Sequence, residues 1–562
     1  MVPWRWALGD TPFVNEQNLA QFGSLLDYPF IKLFGIVRDY DATGLVLYTR
    51  HLYLLLTLAV AAVVFLIVRR LVRWELALPV AAVYVSLIFL QMPQPSYSTM
   101  GAAFLTLGAA LGLWVVVEGR GRRWAFASGA AYGLAVVAYP TLLFILPFYA
   151  VFLAFALGRR AVGMVAELAF AHPPDPAGPP TGRAAWRALS LWALGGVAVL
   201  LPIALVTVSF GIGNLQRCWA YTLDVARSTD QLGGAVKSYE VALGFWRFYW
   251  SRPQLIVAAL VIFIVYKRWP TTGRFLLAAL PMGLWLAGRS VFDATGFVLV
   301  YAVVAPYLFL FVPRSQRAVG AKLLLWVWAP AMIAGAMTAF TSAAGYLSAP
   351  VGFMPALLVS GVLLAWSLEA VTLPRVAGSR APSSGRRPWL ALVVLIAVVG
   401  VTVAFQFQFQ QQDVPYGALT SRVVAGPWRG IKVTAEQLRE LDGFAADLRA
   451  QSRPGDKLLV FYQVCGYYLY WEGVIAANSY WLTNPDLTAQ LPQQTFDYYR
   501  RHRLVPTLVV HVLPTAGHTT AEPQASSGGL DYPPTLVRPL YAFLRKPAYE
   551  STAEVLARLP RE

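Results

Sequence analysis

Charge is what this sequence has least of. Only 13% of its 562 residues are Asp, Glu, Lys or Arg, against 57% that are hydrophobic, and the mean hydropathy is +0.55. A soluble domain usually carries about 25% charged residues, so one water-soluble core is excluded in favour of a chain that faces lipid. Cysteine is nearly absent. Cys218 and Cys465 are the only two, which excludes a disulfide scaffold and a CxxC metal motif. The five histidines are scattered, and no HExxH or Walker sequence occurs, which argues against a zinc protease and an ATP-driven pump. Acidic residues are scarcer than basic ones, 28 against 45, for a net charge of +17. In a soluble protein that balance would suggest nucleic acid. Here the basic residues sit in short clusters between apolar runs, so lipid headgroups and not nucleic acid are the expected partner.

What the sequence does have is long apolar runs. About twelve are read, over 52–68, 77–92, 100–117, 125–139, 141–157, 188–210, 254–266, 275–288, 297–312, 323–341, 350–373 and 389–405. Tyr139-Pro140 is read either as a tight hairpin between two spans or as a kink in one. Aromatics make up 14% of the chain and many flank the runs, as an interfacial belt requires. Basic clusters follow every second run: Arg69, Arg70 and Arg73; Arg120, Arg122 and Arg123; Arg159 and Arg160; Lys267 and Arg268; Arg314 and Arg317; Arg386 and Arg387. The alternate loops 93–99 and 342–349 have no Lys or Arg. Basic loops stay cytoplasmic, which places residues 1–51, the 211–253 loop and everything after 405 outside the cell. Either residues 1–51 translocate unaided or a first membrane helix precedes them, and the second is favoured.

The expected fold is therefore an all-α polytopic membrane domain over 52–405. An extracytoplasmic first loop with interfacial helices precedes it over 1–51, and a small extracytoplasmic α/β domain follows over 406–562. Within 15–41, Leu19, Phe22 and Leu26, then Phe30, Leu33, Phe34 and Val37, recur at helical spacing, which predicts a helix lying on the membrane surface. Residues 161–187 and 374–388 are Pro-rich connectors. In the tail, Thr434-x-x-Gln437 predicts a capping box opening a helix through about Ala450. Pro454-Gly455-Asp456 predicts a turn into a strand over Lys457–Tyr462, a second strand is expected over Thr507–Leu513, and a helix over Leu536–Arg545.

With so few acids, their positions narrow the search for chemistry. Asp10 and Glu16 lie in the first segment, where a carboxylate beside the membrane can act as a general base; capping a turn or facing solvent is the plainer role for Asp10. Arg289 and Asp293 share a short outer loop. A guanidinium there matches a phosphate by two parallel hydrogen bonds, or forms an i,i+4 ion pair with Asp293. The loop 211–253, with Arg217, Tyr221 and Asp224, suits sugar contacts or a surface helix. Cys218 and Cys465 are both expected outside, where a disulfide would tie the 211–253 loop to the tail; two unpaired thiols are the plainer reading, since spacing says nothing about proximity.

The Gly9-Asp10…Glu16 segment ahead of the first clear span, the interfacial pattern of 15–41 and the Pro95-Ser96-Tyr97-Ser98-Thr99 loop together resemble the GT-C superfamily of integral-membrane glycosyltransferases, which includes protein O-mannosyltransferase-like enzymes. Thr341–Gly345 followed by Gly352-Phe353-Met354-Pro355-Ala356 is similar too. Many members have adjacent acids in the first loop, whereas here Thr11 follows Asp10. The resemblance implies an inverting transfer of sugar from a polyprenyl-phosphate donor to an extracytoplasmic acceptor. Asp10 would activate the acceptor, Glu16 would be its substitute and Arg289 would hold the lipid phosphate. Tyr97, Arg217, Tyr221, Asp224 and Asp293 would be substrate contacts. A divalent metal, the donor sugar, the acceptor and the oligomeric state are left open. A lipid or polysaccharide flippase or transporter, and a non-catalytic envelope scaffold, are the alternatives. The expected location is a bacterial inner membrane.

Overall fold

The computed structural model describes residues 1–88, 93–118, 121–157, 182–229, 234–251, 253–277, 294–342, 345–369, 389–408, 416–461, 465–480, 497–499, 501–502, 504 and 508–511. The chain divides into two compact units. One gathers Met1–Tyr48, Leu205–Gly233 and Leu419–Glu562; the other is Thr49–Ala204 with Gly234–Ala418.

The second unit is helical. Five helices among the described residues are long and apolar enough to cross a membrane: Leu45–Val68, Tyr97–Val117, Ala185–Ser209, Arg314–Thr341 and Pro350–Glu369. A sixth is added if Lys237–Trp250 and Pro253–Arg268, bent by 63° at their junction, count as one broken span. Trp74–Ser86, Pro140–Phe155, Gly296–Phe309 and Ala391–Ala404 are shorter apolar helices. The chain is thus a multi-pass helical membrane protein. Most of the expected run 275–288, residues 161–181 of the first Pro-rich connector and all of the second lie outside the described residues, while 182–187 of the first open the helix Gly182–Ser209. At Tyr139-Pro140 the helix Arg122–Ala138 ends, a three-ten turn covers Pro140–Ile145 and a new helix runs over Leu146–Leu157. Pro140 lacks the N–H that a continuous helix would need.

Glycine lets these helices touch backbone to backbone. A Cβ on Gly129 would lie 1.7 Å from the Trp192 carbonyl oxygen, and one on Gly195 would lie 2.0 Å from that of Phe126. The helix Arg122–Ala138 and the helix Gly182–Ser209 therefore meet where neither carries a side chain. Nearby, Trp326 sits in a π-helical turn over Leu324–Trp328 and donates its indole N–H to the Ala109 carbonyl at 3.1 Å. Its ring packs edge-on against Tyr132 and Tyr149.

The first unit is assembled from segments far apart in sequence. Helix α1 is Val2–Ala7 and α2 is Phe22–Val37, continuous through Pro29. Phe30, Leu33, Ile36 and Val37 form its exposed apolar face. α3, Leu45–Val68, begins here and continues into the second unit. Strands β1 (Ser421–Arg422) and β2 (Lys432–Val433) pair antiparallel. β3 (Lys457–Phe461) is the centre of a parallel sheet, flanked by β4 (Val474–Ile475) and β5 (Leu508–His511). The two apolar runs expected as strands are thus neighbours in one sheet. Pro454 and Gly455, with Gly455 at φ +88°, fill the central positions of the turn closed by Asp456 N–H to the Arg453 carbonyl, the residue choice a type II turn favours. The Thr434 capping box is formed with both reciprocal hydrogen bonds. The expected helix Leu536–Arg545 lies outside the described residues.

Candidate functional site

The site is built from a helix end. α1 stops in a Schellman arrangement: Gly9 N–H reaches the Trp6 carbonyl at 3.2 Å and Asp10 N–H reaches that of Arg5 at 3.0 Å. Gly9 takes φ +110°, which glycine adopts without strain. This turn folds Asp10 back over Arg5, where a hydrophobic pair usually sits. Arg5 Nε lies 3.1 Å from Asp10 Oδ2 and Nη2 lies 3.3 Å from Oδ1. Arg5 also donates to the carbonyls of Gly473, at 3.0 Å, and Trp471, at 3.3 Å. The hydroxyl of Tyr480 donates to Asp10 Oδ2 as well. Arg5 is buried, while the Asp10 side chain keeps 15% exposure. Asp10 neither caps a helix nor stands free in solvent.

Glu16 is placed differently. It is 2% exposed, and its two oxygens accept the backbone N–H of Asn18 at 2.9 Å and of Tyr480 at 2.8 Å. Tyr480 therefore touches both carboxylates, one through its hydroxyl and the other through its main chain. Burial, then the Asp10 carboxylate, hold its phenol well above the ordinary range, so it stays protonated and donating. Gln17 and Asn478 add a second strap: Gln17 N–H reaches the Asn478 carbonyl at 2.9 Å, and Asn478 Nδ2 reaches Gln17 Oε1 at 3.3 Å.

Between the two acids the chain is strained. Phe13 lies at φ 61°, a region a bulky side chain rarely enters. It is held there because its ring is buried against Phe22 and Phe210 and its N–H is taken by Gln21 Oε1 at 2.9 Å. Gln21 Nε2 in turn donates to the Glu16 carbonyl at 2.6 Å. Strain of this kind persists only where surrounding contacts over-determine it.

Helix Ile212–Thr229 contributes Cys218, Thr222 and Arg217. Cys218 is a free buried thiol whose Sγ donates to the Phe13 carbonyl at 3.4 Å. Burial, then the Glu16 charge, push it up to about 12. Thr222 Oγ1 accepts Leu19 N–H at 3.2 Å. Arg217 is exposed and donates to Asn214. Tyr498 donates no charge of its own: its hydroxyl accepts from Asn15 Nδ2 at 3.0 Å, and burial pushes it up to about 12. The ring of His502 stacks on Tyr498 at 4.7 Å. Burial, then Arg501 and Arg217, lower the His502 imidazole, so it is neutral around pH 7.

Of the residues singled out from sequence, Asp10, Glu16, Arg217 and Tyr221 all belong to this unit, and Tyr221 is buried. Tyr97 belongs to the other. Arg289, Asp293 and the side chain of Asp224 lie outside the described residues. Among the described residues no three His, Cys, Asp or Glu side chains gather as metal ligands would. Sequence reasoning missed Arg5, Asn15, Tyr480 and Tyr498. Only Arg5 left a signal, as a lone cation between two tryptophans five residues before a lone acid.

No family model matches the chain, and no characterised protein matches it in sequence. Among solved structures, the chain is similar to the crystal structure of the Archaeoglobus fulgidus oligosaccharyltransferase tethered to an acceptor peptide containing the NVT sequon. The identity is 12% and the TM-score 0.39, over 90% of this chain and 64% of that one. The chain thus spans under two thirds of that protein's length. A TM-score of 0.39 is too low to carry residue roles across, and these rest on the geometry above.

Proposed function

We propose that this chain is a membrane glycosyltransferase of GT-C type that moves a sugar from a polyprenyl-phosphate donor to an extracytoplasmic hydroxyl. The observation that supports this most is the state of Asp10. Arg5 and Tyr480 fix its carboxylate with three hydrogen bonds, which leaves about one of its roughly four acceptor positions open. Its side chain also remains partly exposed. An acceptor hydroxyl that donates to that position is oriented for attack. As its oxygen bonds to the anomeric carbon, the bond from that carbon to the phosphate oxygen breaks and the proton passes to Asp10. The configuration inverts and the lipid phosphate departs. Arg289, from its place in the sequence, is proposed to neutralise that phosphate. Glu16, buried with both oxygens taken by backbone N–H groups, holds Tyr480 in place and does not serve as a base.

A second reading, a non-catalytic envelope scaffold, is favoured by the same ion pair, because a carboxylate held by both a guanidinium and a phenol already has a structural use in joining the first segment to Tyr480. The two readings separate in a transfer assay on membranes containing the chain, supplied with a panel of radiolabelled polyprenyl-phosphate monosaccharides. General-base loss in Asp10→Asn is expected to cut turnover by about a hundredfold to ten-thousandfold, with folding checked by gel filtration. Equal turnover in wild type and Asp10→Asn removes the transferase mechanism.

A further inference from the structure

Three short connections of the helical unit, which the loop charges place outside, converge on one another. The first is the loop before Tyr97. Ser96 and Thr99 cap the helix reciprocally, Ser96 N–H to Thr99 Oγ1 at 2.9 Å and Thr99 N–H to Ser96 Oγ at 3.2 Å, so Tyr97 stands at a fixed helix start with 43% of its surface exposed. Its ring lies 5.4 Å from that of Tyr139, at the second connection. Gly101 allows that approach, since a Cβ there would come within 2.9 Å of Tyr139 Cβ. The third connection supplies hydroxyls. Thr341 Oγ1 lies 3.3 Å from Thr141 Oγ1, Thr341 and Ser342 lie against the Tyr139 phenol, and Ser348 Oγ donates to Ser342 Oγ at 2.7 Å.

The chemistry of this cluster is distinctive for what it combines. None of residues 93–99, 139–141, 341–342 and 345–348 is Asp, Glu, Lys or Arg. A phosphate or a cation would find no counter-charge there. An exposed aromatic ring beside several hydroxyls, which can each donate and accept, matches a ligand with apolar C–H faces and many hydroxyls of its own. Aromatic rings supply area for such a face, and a few placed polar groups fix its orientation.

We propose that Tyr97, Tyr139, Thr141, Thr341 and Ser342 form a binding site for a neutral sugar, with Tyr97 as the stacking platform. The proposal rests on the transferase reading only for the use made of the bound sugar, and binding itself does not involve Asp10. The test is saturation-transfer NMR on the full chain in lipid nanodiscs, with the methyl glycosides of mannose, glucose, galactose and N-acetylglucosamine as probes. At least one glycoside is expected to receive saturation above empty nanodiscs. Tyr97→Ala, and separately the Thr141→Val/Thr341→Val pair, should weaken it about tenfold, while Asp10→Asn leaves it unchanged. If Tyr97→Ala misfolds, the threonine pair decides. No signal from any of the four glycosides, as expected if these rings merely anchor in lipid headgroups, overturns the site. So does a signal that survives the substitutions. Sugar binding lost in these variants but kept in Asp10→Asn supports the site even where Asp10→Asn leaves transfer unaffected.

Discussion

The two units bury different polar groups. In the unit that holds the candidate site, buried polar side chains reach across the sequence: Arg5 to Gly473, Glu16 to Tyr480 and Asn478 to Gln17. Among the described residues, those buried in the helical unit are neutral hydroxyls and indoles that donate mostly to backbone carbonyls, some on a neighbouring helix, as Ser128 does to Gly108 and Trp326 to Ala109, and some on their own. Thr106 donates to the Ala102 carbonyl, Thr338 to Gly335, Ser367 to Leu363 and Thr402 to Val399. A hydroxyl satisfied within its own turn says nothing about which helix lies beside it, so that unit is specified by the neutral donors that cross between helices together with shape, above all at its glycines. The first unit is specified by pairing between distant polar groups, each of which is costly if its partner is removed.

The sharpest way to break this contrast is Arg5→Met. It strips Asp10 of its counter-ion and two carbonyls of their donor inside the protein. Breaking a buried pair from one side costs about 3–5 kcal/mol, so the segments 1–48 and 419–480 should lose hydrogen-exchange protection together. Unchanged exchange would show the polar network to be dispensable. The counterpart in the helical unit is Gly129→Ala, which changes no polar atom but drives a methyl into the Trp192 carbonyl. Overpacking costs about 1–3 kcal/mol, here read as a lower Tm in detergent. A Tm equal to wild type would mean that the two helices do not meet at this glycine.

The same contrast explains which parts were legible in the sequence. The capping box at Thr434, the turn at Pro454-Gly455 and the strand after it are local, and each follows from residues within a few positions of one another. The apolar runs were legible for the same reason, as lipid demands a continuous stretch. Asp10 was singled out because acids are few. Its partners Arg5 and Tyr480 were not, because a hydrogen bond spanning 470 residues leaves no periodic trace, and Tyr480 looks like any other tyrosine in a chain with 27. Glu16 was read as a second acid of the site. Its burial under two backbone N–H groups depends on where residue 480 comes to lie, which no local pattern encodes. The meeting of 93–99 with 139–141, 341–342 and 345–348 was hidden likewise, although each loop was visible as an uncharged break between runs.

Smaller effects sharpen the comparison further. Thr434→Ala removes one half of the capping box of helix Ala435–Gln451 and should cost about 1 kcal/mol, visible as faster exchange in its first turn alone. Tyr149→Phe asks the opposite question of the helical unit. The Tyr149 hydroxyl is buried beside Tyr132 without a hydrogen bond of good geometry, as are the Tyr132 hydroxyl and the Trp192 indole N–H. A buried hydroxyl whose contact with Tyr132 is poorly aligned has lost its water for little return, so deleting it should leave Tm unchanged or raise it by an amount worth up to about 1 kcal/mol. The same kind of deletion lowers stability wherever the hydroxyl has a partner, as Tyr480 does. A fall in Tm for Tyr149→Phe would mean that this hydroxyl is paired after all. The helical unit would then hold one further neutral pair between helices, beside Ser128–Gly108 and Trp326–Ala109.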